Sequence, residues 1–276
     1  MKQTGDVYLM KLNKNYRTAP FTKMREMIAE GTRQSKYYEH VAGFGEVDIT
    51  IANEIMNRYY KKNGERLSFT AWVIKCIAKA IEEHKMVQGY RRGRKIIIFD
   101  DIDVRCNVEK EVDGQKVPIQ YIIRKTNEKN VKEIHNEIRN AQKYDEDKDI
   151  YQQKVKKRQL TLMKLPKFIR NIIWHRIMTN PFKIKENFGT VACTAMGMFG
   201  KGTVGYVIPK TPFATSVAVG SIVKKPVYIE NKFVPRDILH LTAVVNHDIV
   251  DGAVAVRFGI RLFELLSSAF GLEEFK

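Results

Sequence analysis

The sequence alternates between segments with a helical period and segments with a strand period over its whole length of 276 residues. It contains no internal repeat and no linker rich in glycine, serine or proline that would divide it into separate units. Hydrophobic residues make up 44% of the chain, which is enough for a sizeable core and excludes disorder as the main state. The pattern therefore predicts a single domain over residues 1–276, of the α/β or α+β class.

Capping and turn signals set the expected bounds of the helices and strands. Ser68 is placed to cap a long helix, and Asn130 with Glu133 has the spacing of a capping box. Helices are predicted over residues 20–31, 52–62, 68–84, 130–144, 167–178 and 252–269. Strands are predicted over residues 47–51, 95–99, 103–108, 117–124, 189–194, 205–208, 216–223, 227–229 and 238–245. The second to fourth of these strands are expected to form a meander, with Asp113 and Gly114 in a turn between the last two.

Basic residues are concentrated in one part of the sequence. The chain has 48 Lys and Arg against 31 Asp and Glu, a formal net charge of +17. Ten of these basic residues lie between Lys154 and Lys185, a stretch that contains no Asp or Glu. A local excess of this kind favours an anionic partner, such as nucleic acid, a membrane surface or a phosphorylated ligand.

The cysteines and the N-terminal residues indicate the cellular compartment in which the protein is expected. Cys76, Cys106 and Cys193 are widely spaced and include no CxxC pair, which argues against a disulfide framework and against a structural zinc site. We expect them to be packing residues in a reducing compartment. No secretory signal begins the sequence, and no stretch reaches the ~18 apolar residues of a membrane span. We therefore expect a cytoplasmic protein with no transmembrane segment.

Among the six histidines, His247 is distinguished by its position. It follows the strand predicted over 238–245 and precedes the last helix, a place where side chains face a cleft more readily than a core. A histidine there is suited to acid and base chemistry near neutral pH. Asp251 lies four residues further on, where it either joins the same network or caps the helix.

Several motifs occur in the order typical of one protein family. Residues 187–200, NFGTVACTAMGMFG, are similar to its GGTFTISNLGMFG segment, and residues 218–222 are similar to its AVGSI strand. Residues 239–258 resemble its LTLSxDHRxxDGAxAARF run, which contains the HxxxDG signature. Residues 24–29 and 67–78 are similar to its RKxIAxxM and LTFxxFxIKAxAxAL stretches. The chain thus resembles chloramphenicol acetyltransferase and the catalytic (E2) domain of 2-oxo acid dehydrogenase complexes, in a stand-alone form without a lipoyl domain.

This resemblance implies a fold and an activity. The implied fold is an α+β two-layer sandwich of the chloramphenicol acetyltransferase type, with a mixed sheet flanked by helices. The implied activity is a CoA-dependent acyl transfer between coenzyme A and a thiol or hydroxyl acceptor, most simply dihydrolipoamide on a separate carrier protein. No metal is required. The family forms trimers, in which the histidine of one subunit faces the serine of its neighbour, and trimers can build a larger cage.

The resemblance also implies roles for individual residues. His247 would be the general base, and the hydroxyl of Thr194 would replace the family's serine in stabilising the oxyanion. The residues alone also allow Thr194 to be an ordinary β-branched strand residue. Asp251 would orient the active-site loop through a salt bridge to an arginine, for which Arg17 and Arg25 are the two candidates. The coenzyme A contacts would be Gly197 and Phe199.

Besides Thr194, the sequence departs from the family at Asn246 and in a long insertion. Asn246 stands where an aspartate usually precedes the histidine, and a basic insertion occupies about residues 145–185. The insertion either packs as a helix on its own trimer, lies on a membrane surface, or binds phosphates or another polyanion. The alternative function is therefore a non-catalytic oligomeric scaffold that binds a polyanion or membrane surface. A third possibility, acetylation of an antibiotic hydroxyl, differs only in the acceptor.

Overall fold

A six-stranded mixed sheet forms the centre of the protein. The computed structural model describes residues 12–13, 16–112, 115–143, 161–162, 164–195 and 204–276. The strands are β1 (Leu12–Asn13), β2 (Tyr16–Arg17), β3 (His40–Asp48), β4 (Tyr90–Arg92), β5 (Lys95–Ile97), β6 (Val104–Val112), β7 (Gln115–Ile123), β8 (Val191–Ala195), β9 (Thr215–Ile229) and β10 (Lys232–Asn246). The central sheet has the order β3-β10-β9-β8-β6-β7, with β8 parallel to β6 and β9 and the other pairs antiparallel. The predicted mixed sheet is confirmed.

Four of the seven helices in the described residues cover one face of this sheet. The helices are α1 (Lys23–Arg33), α2 (Thr50–Asn63), α3 (Phe69–Glu83), α4 (Val131–Lys143), α5 (Lys167–Met178), α6 (Pro181–Phe188) and α7 (Gly252–Ser267). Apolar side chains of α2, α3, α4 and α7 share one core with strand residues such as Val191 and Cys193. Because side chains alternate along a strand, Ala192 and Thr194 lie on the opposite face, which we call the second face. The architecture is the two-layer arrangement that the resemblance implies.

Local sequence signals explain where the central helices begin. The Ser68 hydroxyl accepts a hydrogen bond from the Ala71 N–H at 3.2 Å and caps α3, whose Trp72 is fully buried. Asn130 and Glu133 form the predicted capping box, with reciprocal bonds of 2.7 and 2.8 Å. Burying the apolar face of α3 between the sheet, α4 and α7 is the main source of stability here.

Several predicted elements differ from the structure. Residues 95–97 pair with Tyr90–Arg92 in a separate two-stranded sheet, so the first strand of the predicted meander is wrong, whereas β6 and β7 pair antiparallel as predicted. Residues 205–208 are not a strand, because they cross the second face as an irregular segment whose Gly205 carbonyl accepts from the Ser221 N–H at 3.3 Å. The first helix begins at Lys23, since the Thr22 hydroxyl accepts from the Arg25 N–H at 3.3 Å and ends the extended chain there.

The strands predicted over 216–223 and 227–229 are one continuous strand, and with β10 it forms a long hairpin. Glu230 and Asn231 make the turn with φ values of 47° and 62°, as a two-residue hairpin turn of the primed type requires. Near the tip, Pro226 lies opposite Pro235, and residues 226–235 pair only with each other among the described strands. The end of the hairpin is therefore a two-stranded ribbon that projects beyond the sheet.

Parts of the prediction lie outside the described residues. These are the turn residues Asp113 and Gly114, the charged loop over 145–149 and the basic residues 154–158. Within the described ranges, no helix combines the length and the hydropathy needed to cross a membrane.

Candidate functional site

His247 lies in the short turn that joins β10 to α7. The strand ends at Asn246, the helix begins at Gly252, and the His247 side chain is exposed between them. The His247 backbone N–H donates to the Glu39 carbonyl at 2.7 Å, which ties the turn to the chain that enters β3. The imidazole is therefore presented to the surface from a fixed backbone.

Asn246 organises this turn, a role that the sequence reasoning missed. Its side chain is 3% exposed, and its amide oxygen accepts from the Glu39 N–H at 3.0 Å and from the Asp248 N–H at 3.4 Å. Its backbone carbonyl accepts from the N–H groups of Ile249 and Val250. The one available signal was an amide residue at the last position of a strand, where such side chains bond to nearby backbone groups.

Asp251 occupies the position before the first residue of α7. Its backbone carbonyl accepts from the N–H groups of Val254 and Ala255 at 3.0 Å, whereas its carboxylate makes no capping bond. The carboxylate is exposed, and among the described residues it pairs with no cation. Arg25, one of the two arginines predicted to pair with Asp251, is exposed and makes no salt bridge to a described residue. The side chain of the other, Arg17, lies outside the described residues.

Thr194 lies on the second face of the sheet, near the end of β8. The pairing register places Thr194 beside Ala218 and Ala218 beside Thr242, so the three form one row across the sheet. Thr194 is half-buried, and no described residue makes a hydrogen bond to its hydroxyl. The predicted coenzyme A contacts, Gly197 and Phe199, follow directly but lie outside the described residues.

The two predicted catalytic side chains are not neighbours within one chain. Thr194 is two strands from Thr242, and His247 is five residues beyond Thr242. With strands ~4.8 Å apart and a rise of ~3.3 Å per residue, the two Cα atoms are separated by roughly 15–20 Å. A site that uses both side chains therefore needs a second chain.

Four of the other five histidines and all three cysteines have structural environments; the exception is the half-buried His84, whose ring makes no hydrogen bond to a described residue. Rings of His40, His135, His175 and His240 each hydrogen-bond within the fold, whereas no described residue bonds to the His247 ring. All three cysteines are buried and unpaired, and burial raises the pKa of the Cys106 thiol to about 12. This agrees with their predicted role as packing residues. The described residues contain no cluster of acidic, histidine and cysteine side chains that could hold a metal.

The described part of the basic insertion packs against its own chain. Arg170 of α5 is buried, and its guanidinium donates to both Glu30 carboxylate oxygens at 2.7 to 3.1 Å and also to Glu26. Trp174 stacks on Phe188 with ring centroids 5.9 Å apart. The helix predicted over 167–178 is thus present with the same bounds and is anchored to α1 by a buried ion pair.

The fold and the sequence together identify the class as an acyltransferase catalytic domain. The chain belongs to the family of 2-oxoacid dehydrogenases acyltransferase (catalytic domain), which it matches over residues 13–168 and 179–272. It is 29% identical over 259 residues to the lipoamide acyltransferase component of the branched-chain alpha-keto acid dehydrogenase complex of Bacillus subtilis, covering 90% of this chain and 52% of that protein. A pyruvate dehydrogenase acetyltransferase component of Buchnera aphidicola is 26% identical, covering 79% of this chain and 47% of its own length. The chain spans about half the length of these curated relatives.

Solved structures confirm the fold. A probable dihydrolipoamide acetyltransferase of Listeria monocytogenes superposes with a TM-score of 0.67 at 23% identity, covering 93% of this chain and 97% of that one. The dihydrolipoamide acetyltransferase of Azotobacter vinelandii, in which a serine, a histidine and an asparagine have been studied for their catalytic role, gives a TM-score of 0.65 at 18% identity over 93% of each chain.

Proposed function

We propose that this protein transfers a short acyl group between coenzyme A and a thiol acceptor, most simply dihydrolipoamide on a separate carrier protein. The observation that carries the proposal is the exposed His247 imidazole, held on a backbone fixed by Glu39 and Asn246. Membership of the acyltransferase family supports the same chemistry. So does the studied histidine and asparagine pair of the Azotobacter protein, whose spacing of four positions equals that of His247 and Asp251.

In the proposed reaction, His247 removes the proton from the acceptor thiol. The sulfur then attacks the thioester carbonyl, and the Thr194 hydroxyl donates a hydrogen bond to the oxyanion of the tetrahedral intermediate. Collapse of the intermediate breaks the bond to the coenzyme A sulfur, which takes the proton back from the imidazolium. A positioned base contributes about 10² to 10⁴ in rate, and one oxyanion donor contributes about 10² to 10³.

The other expected contacts belong to the same proposal. Coenzyme A is a substrate and contacts Gly197 and Phe199. Asp251 orients the turn through a salt bridge to an arginine. The lipoyl group arrives on another protein. A cytoplasmic location accords with three buried, unpaired cysteines.

We also propose that the active site forms between subunits of a trimer. The wide separation of Thr194 from His247 supports this, because neither side chain can reach the other within one chain. Large apolar side chains exposed on or beside the second face also support it; these are Phe44, Val204, Tyr206 and Ile208. Whether trimers join into a cage, as in the cubic core of a pyruvate dehydrogenase complex, is measured by the particle mass.

A mixing experiment tests the function and the shared site together. His247→Gln and Thr194→Val should each abolish turnover of acetyl-CoA with dihydrolipoamide, while Thr194→Ser should retain it. Co-expression of the two inactive variants in equal amounts should restore about one quarter of the wild-type activity, because one site in four of a randomly mixed ring receives both intact side chains. Full activity of His247→Gln would refute the mechanism. Two inactive variants that show no recovery on mixing would refute the shared site.

A second role, contact with an anionic membrane surface through residues 154–185, has its own support. On α5, Phe168 and Ile172 are exposed one turn apart, and the exposed Lys164 and Lys167 precede Phe168 in the sequence. The protein should sediment with vesicles that contain phosphatidylserine and remain free of phosphatidylcholine vesicles. Phe168→Ser with Ile172→Ser should reduce sedimentation, and an unchanged bound fraction would refute the contact.

A further inference from the structure

Among the described residues, the guanidinium of Arg105 in β6 has no anionic partner. It alternates with the core residues Val104 and Cys106, so it lies on the second face. Its guanidinium carbon is 5.2 Å from the centroid of the Phe188 ring and 5.7 Å from that of Phe213. Among the described residues, it makes neither a hydrogen bond nor an ion pair.

Arg124, a second arginine of the same region, has oxygen acceptors for its guanidinium and serves as a comparison. Arg124 donates to the Asp103 carboxylate at 2.8 Å and to the carbonyls of Lys185 and Glu186 at 2.6 Å. For Arg105, the two ring faces are the only contacts found among the described residues. Burial lowers the pKa of Arg105 to about 10, which still leaves the group charged at neutral pH. Aromatic faces attract a cation but accept few of its five N–H bonds, so this charge lacks the oxygen acceptors that normally accompany burial.

The surroundings of Arg105 add further donors without acceptors. The Trp174 ring stacks on Phe188, and its buried Nε1–H has no hydrogen-bond partner within the described ranges. The Tyr38 hydroxyl belongs to the apolar cluster that Trp174 also packs against, and it too is buried with no hydrogen bond to a described residue. Unpaired buried donors each cost about 1–3 kcal/mol, so an excess of them indicates a place for a ligand that supplies oxygen acceptors.

The position of Arg105 relates this place to the proposed reaction. Arg105 lies beside Ala192, and Thr194 is two residues further along the same face of β8. One strand spacing and two residues of rise put the Cα atoms of Arg105 and Thr194 roughly 8 Å apart. A carboxylate on a short substrate lies within this range of the reacting carbonyl, whereas the phosphates of coenzyme A are separated from it by the whole pantetheine arm.

We propose that Arg105, held between Phe188 and Phe213, recognises a carboxylate of the substrate, on the acyl group or on the acceptor. The planar fork of a guanidinium matches both oxygens of a carboxylate, and the rings keep it in place and exclude water. The substrate class is then a thioester or thiol that carries a free carboxylate. This inference rests on the proposed function for the location of the reacting atoms.

Direct binding tests the inference without catalysis. Trp174 and Trp72 are the two tryptophans of the chain, so the change in fluorescence that depends on Trp174 reports on this place. Succinate should change the fluorescence of the wild type and not that of Arg105→Met. Arg66→Met is the matched control, because Arg66 also stacks on a ring, that of Tyr60 at 4.6 Å, but on the exposed surface. Loss of the succinate signal in Trp174→Phe confirms the reporter.

Substrate preference supplies the second measurement. Values of kcat/KM for succinyl-CoA and acetyl-CoA, and for acceptors with and without a carboxylate, identify which substrate carries the group. Arg105→Met should lower kcat/KM about tenfold or more for the carboxylate substrate alone, as expected for a lost charge-assisted pair of hydrogen bonds. Arg105→Lys keeps the charge and the aliphatic stem. Its kcat/KM for the carboxylate substrate should lie between those of the wild type and Arg105→Met.

Two outcomes would overturn the inference. One is an equal loss for all substrates in Arg105→Met and Arg105→Lys, which would assign Arg105 to packing alone. The other is a wild type that neither binds succinate nor prefers a carboxylate substrate. The proposed function fails separately, since full turnover by His247→Gln would refute it while leaving the succinate signal intact.

Discussion

Asn246 fixes the backbone of the His247 turn through hydrogen bonds to the N–H groups of Glu39 and Asp248. The sequence predicts where His247 lies, because an apolar strand and an amphipathic helix flank it. It does not predict that Asn246 is the residue that holds the turn, since this depends on Glu39, 207 positions away along the chain. The same limit applies to Arg105, whose ring partners come from two other segments of the chain.

We predict that Asn246→Leu destabilises the protein and impairs turnover. The substitution leaves two backbone N–H groups of the turn without their acceptor, at a cost of about 1–3 kcal/mol. Asn246→Asp keeps an oxygen at the same place and should retain most of the stability and kcat. Chemical denaturation and steady-state kinetics measure both effects. Equal stability of Asn246→Leu and the wild type would contradict the role assigned to this amide.

At the scale of elements, close approach between β3 and α7 depends on a glycine. A Cβ added to Gly45 would lie 2.1 Å from Cε2 of Phe263, so the ring occupies the space that any other side chain needs. Gly43 lies on the same strand with nothing within 4 Å of an added Cβ. The two glycines are therefore a matched pair, one required by packing and one not.

Gly45→Ala should lower the free energy of unfolding by about 1–3 kcal/mol, the usual effect of overpacking. Gly43→Ala should change it little. Phe263→Leu combined with Gly45→Ala should recover part of the loss, because the smaller side chain vacates the space. Thermal or urea unfolding of the wild type, Gly45→Ala, Phe263→Leu and the double variant gives the coupling, with Gly43→Ala measured beside them. Similar losses in both alanine variants would show that strand propensity, and not the ring, sets the requirement for glycine.

Sequence patterns predict the helices better than the strands. The helix over 167–178 and the capping box of α4 follow from signals within one segment of the chain. Strand β3 begins at His40, seven residues before the predicted start. Its first half contains glycines and polar residues and has no alternating hydrophobic pattern. This part is a strand because it pairs with β10, which the sequence pattern does not indicate. The turn of the long hairpin is formed by Glu230 and Asn231. An Asn-Gly or Asp-Gly pair would have predicted a turn at this place, but the sequence has neither there.

The whole molecule exposes an apolar surface that a single chain leaves uncovered. Phe44 is 54% exposed and contacts the ring of Tyr206 at a centroid distance of 5.7 Å. Both side chains lie on the second face, the one that also carries Thr194. The family resemblance predicts a trimer, but only the folded chain identifies the apolar side chains available to hold it together.

We predict that Phe44→Asp separates the proposed trimer into single chains and abolishes the proposed acyl transfer. A carboxylate in an apolar contact between chains loses its hydration without gaining a partner. Ile51→Asp, on the outer side of α2, is the control and should leave assembly intact. Light scattering coupled to size-exclusion chromatography measures the mass. A Phe44→Asp variant that keeps the mass and the activity of the wild type would place the contact between chains elsewhere.

The projecting ribbon of β9 and β10 carries its own protection against unwanted association. Opposite residues of an antiparallel pair either exchange both hydrogen bonds or direct both N–H groups outward. Proline has no N–H, so the Pro226 and Pro235 pair fits only the second kind of position, where the missing donors would lie on the free edges. A strand of another molecule that approaches either edge therefore meets no N–H donor at the Pro226 and Pro235 pair. The ribbon can project from the sheet without promoting aggregation through edge-to-edge strand pairing.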